Sequence, residues 1–273
     1  MPDRARGPDG RAPRAVAQDQ AAGLRRLFAP RQAQWLPILP AAGWEVADSR
    51  WLAAFASTWA DQGARTLVVD AARAQIGAAF GLRVRYDLAH AFSGDCRPAR
   101  VCVQVNQNLR ILSAARALDQ DGRAPHAAQR FEAGVRALAS GADCALLILP
   151  APHPAVLAGF ARPTGFSDVI VLAGTGPRSY SRSLETIRAA LSAADIDTFR
   201  LLFQGMDRPC AGSLYSRLAA AAARELGATL SDAGTVDDAA AIRRLVRAVR
   251  CRSTWGGEPA RGDKRGTAVE TVS

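Results

Sequence analysis

The residues best placed to do chemistry lie at 38–55, "ILPAAGWEVADSRWLAAF", where a short apolar run gives way to a helix-like segment. At such a junction an α/β protein commonly cradles a phosphate. Bare backbone N–H groups of a glycine-rich loop curl around the anion, the following helix presents its N-terminus, and a lysine reaches the outer oxygens. This junction instead offers one glycine (Gly43), a tryptophan (Trp44), two acids (Glu45 and Asp48) and no lysine. Side chains of that bulk obstruct the approach of backbone to phosphate. Asp48, followed by Ser49, reads as the N-cap of a helix over 49–61, its carboxylate accepting the amides that a phosphate would otherwise engage.

Other chemistry-bearing residues do not assemble into a site. His90, His126 and His153 lie in separate segments with no i+3 or i+4 partner that could share a metal ion, and read as surface or helix-end histidines. The five cysteines, Cys96, Cys102, Cys144, Cys210 and Cys251, are scattered and form no CxxC pair, which argues against a disulfide framework or a zinc site. Cys144 opens an apolar run and reads as a packed thiol. No GxSxG elbow occurs. "GTGPRSY" at 174–180 follows a late strand and lacks GxGxxG spacing, so it reads as a turn.

The elements that must position these residues follow an alternating pattern. Apolar runs of strand length, "WLPIL", "RTLVVD" (65–70), "CALLIL" (144–149), "DVIVLAG" (168–174), "FRLLFQG" (199–205) and "ATLSD" (228–232), alternate with helical patterns at 49–61, 71–80, 126–140, 179–194, 211–226 and 236–251. "ARVCVQV" and "LRILSA" add two further strands. Continuous apolar strands alternating with amphipathic helices predict a doubly wound α/β domain, a mostly parallel sheet covered on both faces, over 35–252. Residues 1–18, rich in Pro, Gly, Asp and Arg, and the tail 253–273 carry no apolar periodicity and are expected to be disordered. Between them, "DQAAGLRRLF" (19–28) reads as a short amphipathic helix with Asp19 as N-cap, Leu24, Leu27 and Phe28 on one face, and Pro30 closing it. A helix this short becomes ordered by docking.

Charge is concentrated at the ends. Of the formal net charge of +10, residues 1–34 carry seven Arg against three Asp and residues 241–273 eight Lys or Arg against three acids, which leaves the middle nearly neutral. Lys264 is the single lysine. No stretch is long and apolar enough for a membrane span and the N-terminus has no apolar signal core, so a cytoplasmic location is expected. The last helix, 239–252, sets Ile242, Leu245, Val246 and Val249 against Arg243, Arg244, Arg247 and Arg250. It reads as the final helix of the fold with solvated arginines, and weak or no membrane association is expected of it.

Several stretches, in this order, resemble the MinD/ParA-type P-loop ATPases and, more narrowly, the flagellar-number regulators of the FlhG (FleN) kind. "DQAAGLRRL" is similar to their N-terminal DQAxxLR helix, and "RTLVVDA" followed by "FGLRVRYDLAHAFSGDC" (80–96) to their strand and "GLRPRYTLHDVLxGEC" segment. "LRILSAA" (109–115) and "DVIVLAGTGPRSYSRSLETIRAAL" (168–191) match two further stretches, so the resemblance runs from about 19 to 250. Laying the family's GKGGVGKT loop over "AGWEVADS" (42–49) puts Asp48 at the phosphate-binding lysine, Gly43 at the second, signature lysine, and Trp44 and Glu45 at glycines. The family's "DAD" reads "DAA" (70–72), retaining Asp70 and replacing the second acid by Ala72. Its Walker B acid falls on Ile148 or Leu149, and the base-reading asparagine on Gln204.

Replacing lysine by aspartate beside a phosphate turns an attraction into a repulsion, each about 4 kcal/mol at roughly 4 Å and intermediate dielectric. No cofactor is therefore expected, and the chain reads as a pseudo-ATPase whose vestigial nucleotide site comprises Gly43, Asp48, Ser49 and Asp70. The resemblance implies a non-hydrolysing regulator of flagellar number and placement, recruited to the cell pole or the inner face of the membrane. Its N-terminal helix, through Asp19, Gln20, Leu24, Arg25, Leu27 and Phe28, would stimulate a signal-recognition-particle-type GTPase of the FlhF kind. Flagellar switch proteins or a flagellar transcription regulator are further expected partners, and no specific nucleic acid is. Two readings stand beside it: a partition-type or nucleoid-associated factor binding DNA through its Arg-rich ends, and an ATPase with an unconventional site.

Overall fold

A computed structural model describes residues 33–41, 43–44, 48–121, 126–162, 166, 168–194 and 196–254. The chain divides into a unit of Met1–Gln32 and a unit of Ala33–Ser273; the first, with the DQAxxLR-like stretch 19–30, lies outside the described residues, as does 255–273.

Eight strands form one sheet: β1 (Gln34–Pro40), β2 (Thr66–Asp70), β3 (Cys102–Asn106), β4 (Leu109–Ser113), β5 (Cys144–Ile148), β6 (Val169–Ala173), β7 (Thr198–Phe203) and β8 (Thr229–Thr235). Their order is β3-β4-β2-β5-β1-β6-β7-β8, and every pair is parallel except the β3–β4 hairpin at one edge. The expected doubly wound α/β domain is the fold found.

Alternation along the strands feeds two cores, one on each face. Trp35, Leu39, Leu67 and Val69 point to one side. There they meet α3 (Leu88–Phe92), α4 (Ala115–Asp121), α5 (Ala127–Leu138), α6 (Pro154–Ala161), α7 (Ser179–Ala193) and α8 (Arg208–Ala221), through residues such as Leu118, Phe131, Phe160, Ile187 and Leu218. Leu36, Ile38 and Val68 point to the other side, against α1 (Asp48–Asp61), the short α2 (Ile76–Ala79) and α9 (Ala239–Thr254). On α9, Ile242, Leu245, Val246 and Val249 are buried while Arg243, Arg244 and Arg247 are exposed, so the last helix covers the sheet as its pattern predicts. It runs two residues past the expected boundary at 252.

Two prolines in the central strand cost the sheet nothing. The carbonyl of Ile38 accepts from Leu149 N on the β5 side, so the even-numbered residues of β1 bond towards β5 and the odd-numbered towards β6. Pairing with β6 begins at Ile38, beyond Pro37, and pairing with β5 ends at the same residue, before Pro40. Each missing N–H falls where the ladder has no partner for it.

The first difference from expectation centres on one carboxylate. A helix was expected over 71–80, but only Ile76–Ala79 is helical. Asp70 accepts hydrogen bonds from the N–H groups of Ala72 at 3.2 Å and Ala74 at 2.9 Å, curling the chain into a loop instead. Arg73 and Gln75 take left-handed φ of 57° and 54° to complete the turn, a conformation that costs a residue with a Cβ about 1–2 kcal/mol. Three short helices, α3, α4 and α6, were not anticipated, and the helix expected over 211–226 begins at Arg208 and ends in a π-turn at Ala222–Leu226.

Candidate functional site at the carboxyl ends of β1 and β5

The chain leaves β1 towards α1 on one face of the sheet and leaves β5 towards α6 on the other. The connections thus diverge between two adjacent strands, and ligands of doubly wound folds enter the crevice this opens at the carboxyl ends of the strands. Here a side chain spans it. The Trp44 indole Nε1–H donates to the carbonyl of Leu149, just past β5, at 2.7 Å. Its ring stacks on Trp51 of α1 with centroids 6.5 Å apart and planes 26° from parallel. Trp51 in turn contacts Phe55, and Phe55 meets Trp59 edge-on, so an aromatic ladder runs from the loop down α1. Gly43, exposed at φ 90°, supplies a left-handed turn just before Trp44. Residues 42 and 45–47 of the loop lie outside the described residues.

Asp48 corrects one detail. It was expected to flank the helix as N-cap, but the helix already includes it: Asp48 is the first residue of α1, buried, with Ser49 buried beside it. The charge still sits in the first turn, at the positive end of the helix dipole.

Asp70, at the end of β2, lies beyond β5 from β1. Burial pushes its carboxyl above the ordinary value, and the amides of Ala74, Ala72, Ile76 and Gln75 oppose the shift. It is turned onto its own backbone. Ile148 ends β5 and Leu149 follows, both buried in apolar clusters. Gln204 directly follows β7, its N–H donating to Ala173 O at 2.9 Å. The structure thus bonds Trp44 to Leu149 at one crevice, with Asp48 opening the adjoining helix, and sets Asp70 on the strand next to β5 as the register partner of Ile148, while Asp19, Gln20, Leu24, Arg25, Leu27 and Phe28 lie outside the described residues.

The histidines sit at helix N-termini. His90 Nδ1 accepts from Asp87 N at 3.0 Å, His153 Nδ1 from Val156 N at 3.4 Å, and His126 precedes α5. Cys144 is fully buried, which pushes its thiol well above the usual range. "GTGPRSY" forms the turn from β6 into α7, with Ser179 Oγ donating to Gly174 O. Among the described residues no group of three His, Cys, Asp or Glu is placed to hold a metal ion, and no helix is long and apolar enough to cross a membrane.

The sequence reading missed Asp87. This buried carboxylate accepts from Ala89 N at 3.0 Å, Arg116 N at 3.1 Å, Ala117 N at 3.1 Å and Ser113 Oγ at 3.1 Å, capping α3 and α4 together. The Asp87/His90 spacing is the mark of a capping box. Only the folded chain shows that the second helix, about thirty residues on, shares the cap.

No protein-family model and no curated protein sequence matches this chain. Among solved structures it is similar to the MinD cell division protein of Aquifex aeolicus, with a TM-score of 0.55 and 14% identity over 80% of this chain and 98% of that one. Cobyrinic acid a,c-diamide synthase from Mycobacterium smegmatis, with bound ADP and magnesium, matches with a TM-score of 0.57 and 18% identity over 82% and 97%. A plasmid partition protein from Borrelia burgdorferi matches with a TM-score of 0.58 and 12% identity over 80% and 99%. At these identities the likeness is one of fold: the chain has the MinD/ParA-like α/β architecture.

Proposed function

We propose that this chain is a non-hydrolysing, MinD-like scaffold that acts through protein contact. The single observation that carries the reading is the Trp44 indole bonded across the β1–β5 crevice to Leu149. A nucleotide seated there would have to break that bond and unstack Trp44 from Trp51, and would find Asp48 in the first turn of the helix where a phosphate needs a cation. Walker-type hydrolysis further needs a carboxylate at the end of β5 to organise magnesium; this chain has Ile148 and Leu149.

The contact function is flagellar. On the resemblance of 19–28 and 80–96, the N-terminal segment docks on an FlhF-type GTPase, with Leu24, Leu27 and Phe28 as apolar anchor. Asp19, Gln20 and Arg25 are the polar contacts. Gln20 acts near the partner's nucleotide, a role that needs no nucleotide chemistry in this chain. Flagellar switch proteins or a flagellar transcription regulator bind the α/β scaffold, which stays cytoplasmic or is recruited to the pole by these partners.

GTP turnover by the partner, measured with a peptide of residues 1–34, with the full chain, and with the full chain carrying Leu24→Asp and Phe28→Asp, tests this reading. Stimulation by peptide and full chain, lost in the variant, is the expected result. Stimulation that survives in the variant, or none from either form, would refute it.

A further inference from the structure

A second opening lies on the β5 side of the Trp44 crevice, at the carboxyl ends of β2 and β4. It has two lobes that share Arg73, Val84 and Ser113. The larger, about 390 Å³, is walled by Arg85, Tyr86, His90 and Arg116. The smaller, about 270 Å³, is walled by Leu82, Ile111, Gly77 and Ala78, with Asp70 at its end. The first lobe is cationic and the second largely aliphatic.

The acids near this cleft are already engaged. Asp87 takes four donors from the fold, as described above, and Asp119 is ion-paired with Arg73. Asp70 is turned onto the amides of the following loop, and its burial favours the neutral form. Among the described residues neither Arg85 nor Arg116 has an acidic partner, and both are exposed at the lobe. Arg100 adds a further cation at the rim, its guanidinium 5.9 Å from the centre of the Tyr86 ring. The strained loop, in which Arg73 and Gln75 both hold left-handed φ, gives Arg73 to the wall between the lobes and Gln75 to the aliphatic lobe. Non-glycine residues kept in such conformations cluster at ligand clamps.

From this we infer that the β2–β4 cleft binds a small organic oxyanion, a phosphate monoester or carboxylate. Its charged head sits between Arg85 and Arg116, and its apolar body lies in the lobe of Leu82 and Ile111. Guanidinium forks match both oxyanion types, and paired forks fix the head more tightly than point charges do. A ligand of this shape uses both lobes, whereas a bare inorganic anion uses one. The inference concerns a different part of the sheet from the Trp44 crevice and holds whether or not the contact function is correct.

Calorimetric titration of the full chain with phenyl phosphate, benzoate, inorganic phosphate and benzyl alcohol tests it. Phenyl phosphate is expected to bind at least about tenfold more tightly than inorganic phosphate, and benzyl alcohol not to bind. Comparing phenyl phosphate with benzoate tells the two head groups apart, and binding by either one supports the site. The double variant Arg85→Ala, Arg116→Ala is expected to lose about tenfold or more in affinity, and Leu82→Asn to bring phenyl phosphate down towards inorganic phosphate. Unchanged melting temperatures of these surface variants would show that the fold is intact. Failure of both aromatic anions to bind at millimolar concentration, or equal binding by wild type and double variant, would overturn the inference. So would tight binding of an acidic peptide with none of either small anion.

Discussion

The β1–β5 crevice and the β2–β4 cleft occupy equivalent positions, both at the carboxyl ends of parallel strands, and they have opposite character. One is crossed by an indole and adjoined by a helix whose first residue is a buried carboxylate; the other is open and presents Arg85 and Arg116, which have no acidic partner among the described residues. The sheet makes the two places alike, so the difference lies in the loops. After β1 the chain turns at Gly43 and sends Trp44 back across the strand ends. After β2 the Asp70 carboxylate draws the backbone down onto itself, and the loop bows outward through Arg73 and Gln75. An architecture shared with nucleotide-binding proteins therefore says where a ligand can enter, and the loop residues decide whether it does.

Four substitutions probe that contrast. Asp87→Ala should be the most damaging, because it strips a shared cap from two helices that wall the open cleft and leaves buried amides without an acceptor. A loss of about 3 kcal/mol is expected in denaturant unfolding. Trp44→Ala should cost about 1–2 kcal/mol for the lost hydrogen bond and ring stacking. It should open the closed crevice without creating affinity for Mg-ATP, since Asp48 and the apolar end of β5 remain; a melting temperature unmoved by Mg-ATP would confirm this.

Asp70→Asn has a smaller effect whose sign depends on pH. Because burial raises the folded-state value above the unfolded one, about 3.9, the native chain binds more protons than the unfolded chain between the two values. Wild-type stability attributable to Asp70 is therefore full below the lower value and falls as pH rises through the higher one. An asparagine keeps an acceptor for Ala72 and Ala74 but does not titrate. The variant should gain on the wild type as pH rises towards neutrality, and the gain should vanish in acid; unfolding curves across that range decide it. Gln75→Gly should have the smallest effect, between neutral and about 1 kcal/mol stabilising, as relief of a left-handed side chain outweighs the added freedom of the unfolded chain.

Strand runs such as "LVVD" and "ALLI" were legible because strands buried on both faces read as unbroken apolar stretches. Long helices such as α1, α7 and α9 were legible because their apolar faces repeat at helical spacing. The short helices α3, α4 and α6 were not, since fewer than three turns give periodicity too few points and their stability comes from caps such as Asp87 and His153. At the site, the residue types of "AGWEVADS" spoke plainly against a lysine-type phosphate loop, but the reach of Trp44 to Leu149, 105 residues along the chain, could come only from the fold. The basic cleft is not legible in the sequence because Arg73, Arg85 and Arg116 belong to three separate segments, and local charge counts do not join what the sheet brings together.

Calorimetric titration of the full chain with Mg-ATP, repeated on Arg85→Ala, Arg116→Ala so that the basic cleft cannot contribute, tests the closure of the β1–β5 crevice most directly. The double variant should show no binding heat at millimolar nucleotide. Saturable one-to-one binding in that variant, weakened by mutation at Asp48 or Ser49, would contradict the account.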